Sequence, residues 1–280
     1  MNLLTNYHSH CEFCDGHAPM EEFVKEAIAE GFSAYGISSH APFPVPNNCN
    51  MHRERMSAYL DEFHRLKALY SSQIELYVGL EIDFLDDSFN PSISYFRELP
   101  LDYRIGSVHY IVTPDGTPID TDGSPDRFKT YIDTYFEGDV DEAVHRFYRS
   151  SFRLIELGGF DFLGHLDKIG LNASLYRPGL DHEAWYRRLV ADYLEAIAAR
   201  HLMVEVNTKA WATRGRFFPN EDYFEQMHRL GIRVVVNSDA HIPTKINAGR
   251  PEALQALARA GYTAVWQLSR GEWVEVPLEG

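Results

Sequence analysis

Leu3-Leu4-Thr5-Asn6-Tyr7-His8-Ser9-His10 begins the chain's chemistry, and Cys11-Glu12-Phe13-Cys14-Asp15-Gly16-His17 follows it. With Leu3 to Tyr7 extended, side chains alternate between faces, so His8 and His10 leave the same face at the end of the strand. Two nitrogen donors there can hold one metal ion. Asp15 and His17, separated by Gly16, place two more potential ligands at the same rim. A single His-x-His pair is weak evidence, because short motifs match often by chance. The pair gains weight because later strands also end in His, Glu or Asp.

Composition narrows the classes. The 280 residues are 45% hydrophobic, enough for a large core in one α/β domain or two small ones. No apolar run approaches the ~20 residues that span a bilayer, and no basic-then-apolar leader precedes the first strand, so a soluble cytoplasmic protein is expected. Lys plus Arg number 26 against 41 Asp plus Glu, a formal charge of −15, which disfavours a long nucleic acid as partner. A small phosphorylated substrate stays compatible, because bound cations dominate the local field. The 3 cysteines, Cys11, Cys14 and Cys49, do not make a disulfide framework. Cys11-x-x-Cys14 lacks both a second pair and a thioredoxin-type helix, so reduced thiols are expected.

Hydrophobic periodicity and punctuation set out the elements. A helix from Pro19 to Gly31 precedes the strand Ala34 to Ile37, which runs into Ser38-Ser39-His40. Ala41-Pro42-Phe43-Pro44-Val45-Pro46 reads as a loop over the rim. Helix Met51 to Leu69 leads to strand Ile74 to Leu80 and Glu81, and helix Ser92 to Glu98 leads to strand Tyr103 to Val108 and His109. The polar stretch Thr113 to Pro125 is long enough to be a functional loop. Helix Asp139 to Leu157 precedes strand Phe160 to Gly164 and His165, and helix His182 to Arg200 precedes strand Leu202 to Val206 and Asn207. Helix Glu221 to Leu230 leads to Val234-Val235-Val236 and then Asn237-Ser238-Asp239-Ala240-His241. A helix from Pro251 to Ala260 and two short strand-like segments, Thr263 to Leu268 and Trp273 to Val276, complete the chain.

Seven strand-then-helix units without a long linker predict a parallel sheet clothed in helices. For this many units a closed, TIM-like (β/α)7 barrel over residues 1–280 is favoured over an open doubly wound sheet, and no G-x-G-x-x-G follows the first strand to sign a dinucleotide fold. In a barrel the strand C-termini meet at one face. That gathers His8, His10, Asp15, His17, His40, Glu81, His109, His165, Asp239 and His241. His64, His145, His182, His201 and His228 fall in helices or at their edges and read as surface or packing residues. The gathered donors exceed what one zinc ion takes, so two or three ions sharing a carboxylate are expected.

The motifs His8-Ser9-His10 with His17, Ser39-His40, Glu81, Ser107-Val108-His109, Gly164-His165 and Asp239-Ala240-His241 resemble the polymerase-and-histidinol-phosphatase (PHP) superfamily of metal-dependent phosphoesterases. Cys14-Asp15-Gly16-His17-Ala18, His40-Ala41-Pro42, Ser107-Val108-His109-Tyr110 and His165-Leu166-Asp167 resemble its histidinol-phosphate phosphatase branch, which acts in histidine biosynthesis. The resemblance implies a seven-stranded distorted barrel and a trinuclear site for Zn, Mn or Fe. It assigns His8, His10, Glu81 and Asp239 to the first ion, Glu81, His109 and His165 to the second, and His17, His40 and His241 to the third. Glu81, Asp239 and His241 are thereby the catalytic candidates. Asp15 is a ligand or a neighbour of one. Ser39 stands where many members carry Asp, leaving its hydroxyl as a substitute partner.

The chemistry implied is hydrolysis of a phosphomonoester, L-histidinol phosphate to L-histidinol, by a metal-activated hydroxide. Lys168 and Arg214 are the favoured phosphate-clamping cations, from a set that includes Lys209 and Arg250. Asn207 stands at the substrate end of the pocket. Asp120 and Asp122 are acids for a cationic leaving group. Three rivals stay open: a PHP-type enzyme acting on nucleotides or other small phosphomonoesters, a barrel amidohydrolase, and an inactive metal-binding module. The amidohydrolase needs a bridging lysine in the middle strands, and none follows the fourth.

Overall fold

The computed structural model describes residues 4–278. Seven parallel strands form one sheet in chain order: β1 Thr5–Asn6, β2 Ala34–Ile37, β3 Glu75–Asp83, β4 Tyr103–Ser107, β5 Phe162–Leu163, β6 Met203–Asn207 and β7 Arg233–Asn237. Each strand pairs in parallel with the next, and the intervening helices cover the outside, as the alternation of apolar runs predicts. Of the expected Leu3–Tyr7 strand, Leu3 lies outside the described residues and the ladder covers Thr5–Asn6.

The ring closes between β7 and β1 through a mixture of groups. At the upper end His10 N–H donates to Ala240 O at 2.8 Å and Ala240 N–H to His8 O at 3.2 Å. Lower down, Tyr7 N–H donates to Asn237 Oδ1 at 2.8 Å, and the buried Arg250 guanidinium donates to the carbonyls of Thr5 and Val236. The seam is therefore sealed by side chains where the backbones do not pair.

Inside the barrel Tyr7, Tyr77, Tyr103, Ile105, Phe162, Met203 and Val235 fill the lower lumen, and Leu268 with Trp273 plugs its floor. The Tyr103 ring lies over Gly79, where a Cβ would come within 2.4 Å of Cε2, so the fold needs glycine there. Its hydroxyl donates to Tyr7 O at 2.6 Å, tying β4 to the strand that carries His8. The clustered histidines and carboxylates lie above this layer, at the C-terminal ends of the strands.

Several boundaries differ from the pattern reading. Glu81 lies within β3, which runs on to Asp83 because its ladder with β4 continues from Gly79–Tyr103 to Asp83–Ser107. The Thr113–Pro125 stretch is partly a hairpin, Tyr110–Val112 against Pro118–Asp120, and Pro125 starts a helix to Tyr135 that the pattern missed. Helix Ile169–Tyr176, in which apolar residues show no one-sided stripe, was likewise missed. The last two segments pair as an antiparallel hairpin, Ala264–Ser269 with Glu272–Pro277. Among the described residues no helix is long and apolar enough to cross a membrane.

Candidate metal centre

Glu81 occupies the middle of the upper layer. Its Oε2 faces His8 Nε2 at 3.0 Å, His40 Nδ1 at 3.1 Å and His10 Nε2 at 3.5 Å. Its Oε1 faces His165 Nε2 at 2.7 Å and His109 Nε2 at 3.5 Å, and accepts the Ser107 hydroxyl at 2.7 Å. One carboxylate thus addresses two groups of imidazoles. Across the mouth, Asp239 Oδ1 lies 3.1 Å from His10 Nε2 and 3.8 Å from His8 Nε2.

The potential ligand atoms fall into overlapping sets, each within 4.8 Å: His8, His10 and Asp239; His8, Glu81 and His165; His40, Asp83 and His109; and His10, Asp15, His40 and His241. Five buried atoms in this layer, His8 Nε2, His10 Nε2, His40 Nδ1, Glu81 Oε2 and Asp15 Oδ1, have no hydrogen-bond partner. Buried polar atoms are ordinarily satisfied, and a convergent group of unsatisfied imidazole and carboxylate atoms is the donor set that divalent cations take. The residues fit bound metal.

Backbone and charge both tune the layer. Asp239 at φ +50° and His165 at φ +22° adopt left-handed conformations that side chains other than glycine rarely take. Such strain persists where surrounding contacts impose it, commonly at functional sites. Burial opposes ionisation of Glu81, but His8, His109 and His40 hold its carboxyl well below the usual range. For Asp239 burial is likewise outweighed, by Lys209, His8 and Lys168. Asp15 is depressed despite burial, through His241, His40 and His10.

His17 is not brought to the cluster. Its side chain is exposed and belongs to none of the ligand sets, while Asp15 Oδ1 lies 3.4 Å from His241 Nε2 and 3.8 Å from His40 Nε2. The turn folds so tightly that a Cβ on Gly16 would stand 2.3 Å from the His10 carbonyl, which aims Asp15 inward and His17 outward. Ser39 is buried beside the Cys11 thiol, Oγ to Sγ 3.3 Å, rather than among the ligands. The five helical or helix-edge histidines are exposed, as expected.

The substrate-side candidates are redistributed. Arg214 is exposed, away from the cavity lining; two residues on, Arg216 is committed to Asp167 and Asp181 at 3.0 and 2.6 Å. Asn207 is buried in β6 and donates to Glu205 Oε2 and Asp239 Oδ2 at 3.0 and 3.2 Å, so it holds a carboxylate instead of facing the pocket. Lys209 does line the mouth, its ammonium 3.3 Å from Asp239 Oδ1 and 3.4 Å from His241 Nε2. Lys168 lies behind the wall, 2.8 Å from Asp122. Asp120 and Asp122 both line the cavity of about 160 Å³, together with Cys49, Asn50, Tyr110 and Arg127.

Two buried carboxylates escaped the strand-end pattern. Asp83 Oδ1 accepts from His109 Nδ1 at 2.7 Å, and Glu205 Oε1 from His8 Nδ1 at 2.7 Å. A histidine that ligates through one nitrogen commonly gives its other N–H to such an acceptor. The signal available in sequence was an acid inside an apolar strand, Met203-Val204-Glu205-Val206, where burial of an unpaired charge is costly.

A parallel barrel whose strand ends bring imidazoles and carboxylates together in this way has the donor set of a metal-dependent enzyme. The chain belongs to the PHP domain family, whose sequence pattern matches residues 6–209. It is 26% identical over 254 residues to a Bacillus subtilis histidinol-phosphatase, an alignment covering 84% of this chain and 92% of the relative. Its fold matches that of a Listeria monocytogenes protein with TM-score 0.78 at 21% identity, covering 89% of this chain and 99% of the other. It also matches a Lactococcus lactis histidinol phosphate phosphatase solved with zinc, L-histidinol and phosphate, with TM-score 0.72 at 20% identity, covering 96% and 98%.

Proposed function

We propose that the chain hydrolyses L-histidinol phosphate to L-histidinol and phosphate in histidine biosynthesis, using three divalent ions drawn from Zn, Mn or Fe. The observation that carries the reading is the division of Glu81, one oxygen toward His8, His10 and His40 and the other toward His109 and His165. Relatives aligned along nearly the whole chain and named histidinol-phosphatase support the substrate. In this reading His8, His10, Glu81 and Asp239 would hold one ion, Glu81, His109 and His165 a second, and Asp15, His40 and His241 a third. Asp15 takes the place first assigned to His17.

Bound divalent ions supply Lewis acidity and lower the pKa of coordinated water toward neutrality. The chain itself orients the rest. Lys209 at the mouth binds a phosphate oxygen as a point charge. Glu205 and Asp83 fix the rings of His8 and His109. The remaining lining of the cavity, with Tyr110, Asn50 and Asp120, receives the imidazole and ammonium of the leaving alcohol.

The test is phosphate release from histidinol phosphate, nucleoside monophosphates and an aryl phosphate, with and without chelator. Histidinol phosphate is expected to lead in kcat/KM by at least about 100-fold, and chelation to abolish turnover. Comparable turnover of all three substrates would overturn the substrate; turnover indifferent to thorough chelation would overturn the metal mechanism.

A further inference from the structure

After β5 the chain passes His165 and enters the helix Ile169–Tyr176, and two side chains of this segment reach back to the cavity wall. Asn172 Nδ2 donates to Thr121 O at 3.0 Å and to Gly123 O at 2.9 Å. Lys168 is only 5% exposed, with its ammonium 2.8 Å from Asp122 Oδ2 and 3.7 Å from Asp239 Oδ2. On its other side the same stretch is tied to a candidate ligand, since Thr121 N–H and Oγ1 both donate to His109 O, at 2.8 and 3.0 Å. Asp120, Asp122 and Gly123 form part of the lining that faces the histidines.

We propose that Lys168 is a positioning residue, whose ammonium fixes the wall at residues 120–123 at a set distance from Asp239 and so from the metal centre. The inference rests on the phosphatase reading for the identity of what the wall grips. A fully solvated ion pair would contribute little. Here one partner is enclosed, and Asp122 is 36% exposed at its side chain. Removing the ammonium leaves two carboxylates facing each other across a buried gap, and Asp122 has water to turn toward. The amides that report this are Asp122 N–H and Gly123 N–H, bonded to Asp120 Oδ1 at 2.8 and 2.6 Å, together with Thr121 N–H. Lys168 therefore acts through the wall, and its loss is read in how substrate is held.

The experiment uses the metal-loaded full chain with Lys168→Met, Asp122→Asn and the double variant. Steady-state kinetics with histidinol phosphate are expected to show KM raised about tenfold in either single variant, with kcat reduced by less than about threefold. The double variant should match Lys168→Met alone, because the contact that Asp122→Asn breaks is already lost there. Hydrogen exchange without substrate should quicken at amides 121–123 in both single variants. Loss of kcat at unchanged KM, additive effects, or unaltered exchange would each overturn the proposal. If the unmodified chain fails on histidinol phosphate, the substrate reading falls, while the exchange measurement still decides whether Lys168 holds the wall.

Discussion

Glu205 Oε1 lies 2.7 Å from His8 Nδ1 inside the barrel, and the same carboxylate takes His165 N–H at 3.0 Å through Oε2. One buried acid thereby orients a ring from β1 and the backbone beyond β5. His8 is left with Nε2 directed at Glu81. Glu205→Gln keeps the shape but offers its amide N–H₂ or a weaker acceptor to His8. Metal affinity, measured by chelator competition, should fall about 10–100-fold with the folded spectrum retained. Unchanged affinity would remove Glu205 from the metal centre.

Glu81 and His64 make a paired comparison. Glu81 is buried among five imidazoles, whereas His64 lies on the exposed face of the helix Met56–Leu69. Glu81→Gln removes the shared charge and should lower kcat/KM by at least about 100-fold. His64→Gln should leave activity intact and stability within about 0.5 kcal/mol. Equal losses would refute the bridging role, and metal content by elemental analysis shows whether the Glu81 effect runs through lost ions.

The turn after β1 yields a third expectation. Asp15→Asn weakens a carboxylate set between His40 and His241, and His17→Ala deletes an exposed ring. We expect the first to lower activity by roughly tenfold or more and the second by less than about twofold, in the same phosphate-release assay. A reversed order would restore His17 as the ligand and reject the inward aim of Asp15.

These pairs mark how far the sequence could be read. His8, His10, His40, His109, His165, Asp239 and His241 were legible because each follows an apolar run, and a parallel barrel brings such ends together. Asp15 and His17 were not separable by spacing, since both flank Gly16 and only the fold-back of the turn against the His10 carbonyl decides which enters. Glu205 and Asp83 were hidden for a different reason. Glu205 sits inside a strand and Asp83 at the end of one that runs past Leu80, and strand periodicity does not say which face is lumen until the register with neighbours is known. Arg214 failed because Gly215, in a left-handed conformation, ends a one-turn helix that leaves the guanidinium outside.

Arg250 carries the last prediction, which concerns the barrel and not its chemistry. β1 and β7 are the two ends of the hydrogen-bonded sheet, and the Arg250 guanidinium donates to Thr5 O on one and Val236 O on the other. Arg250→Met fills much of the same volume but leaves both carbonyls without this charged donor in a buried seam. Each orphaned acceptor costs its desolvation, so the variant should lose roughly 2–5 kcal/mol in urea unfolding, read as a lower midpoint at unchanged slope. Arg188→Met, which breaks a helical surface pair with Asp192, should cost less than about 1 kcal/mol. Equal costs would mean that the seam is held by Asn237 and the His10–Ala240 pairing alone. A large loss for Arg250 would instead make a side chain from the last long helix part of the closure that keeps His8 and Asp239 facing each other.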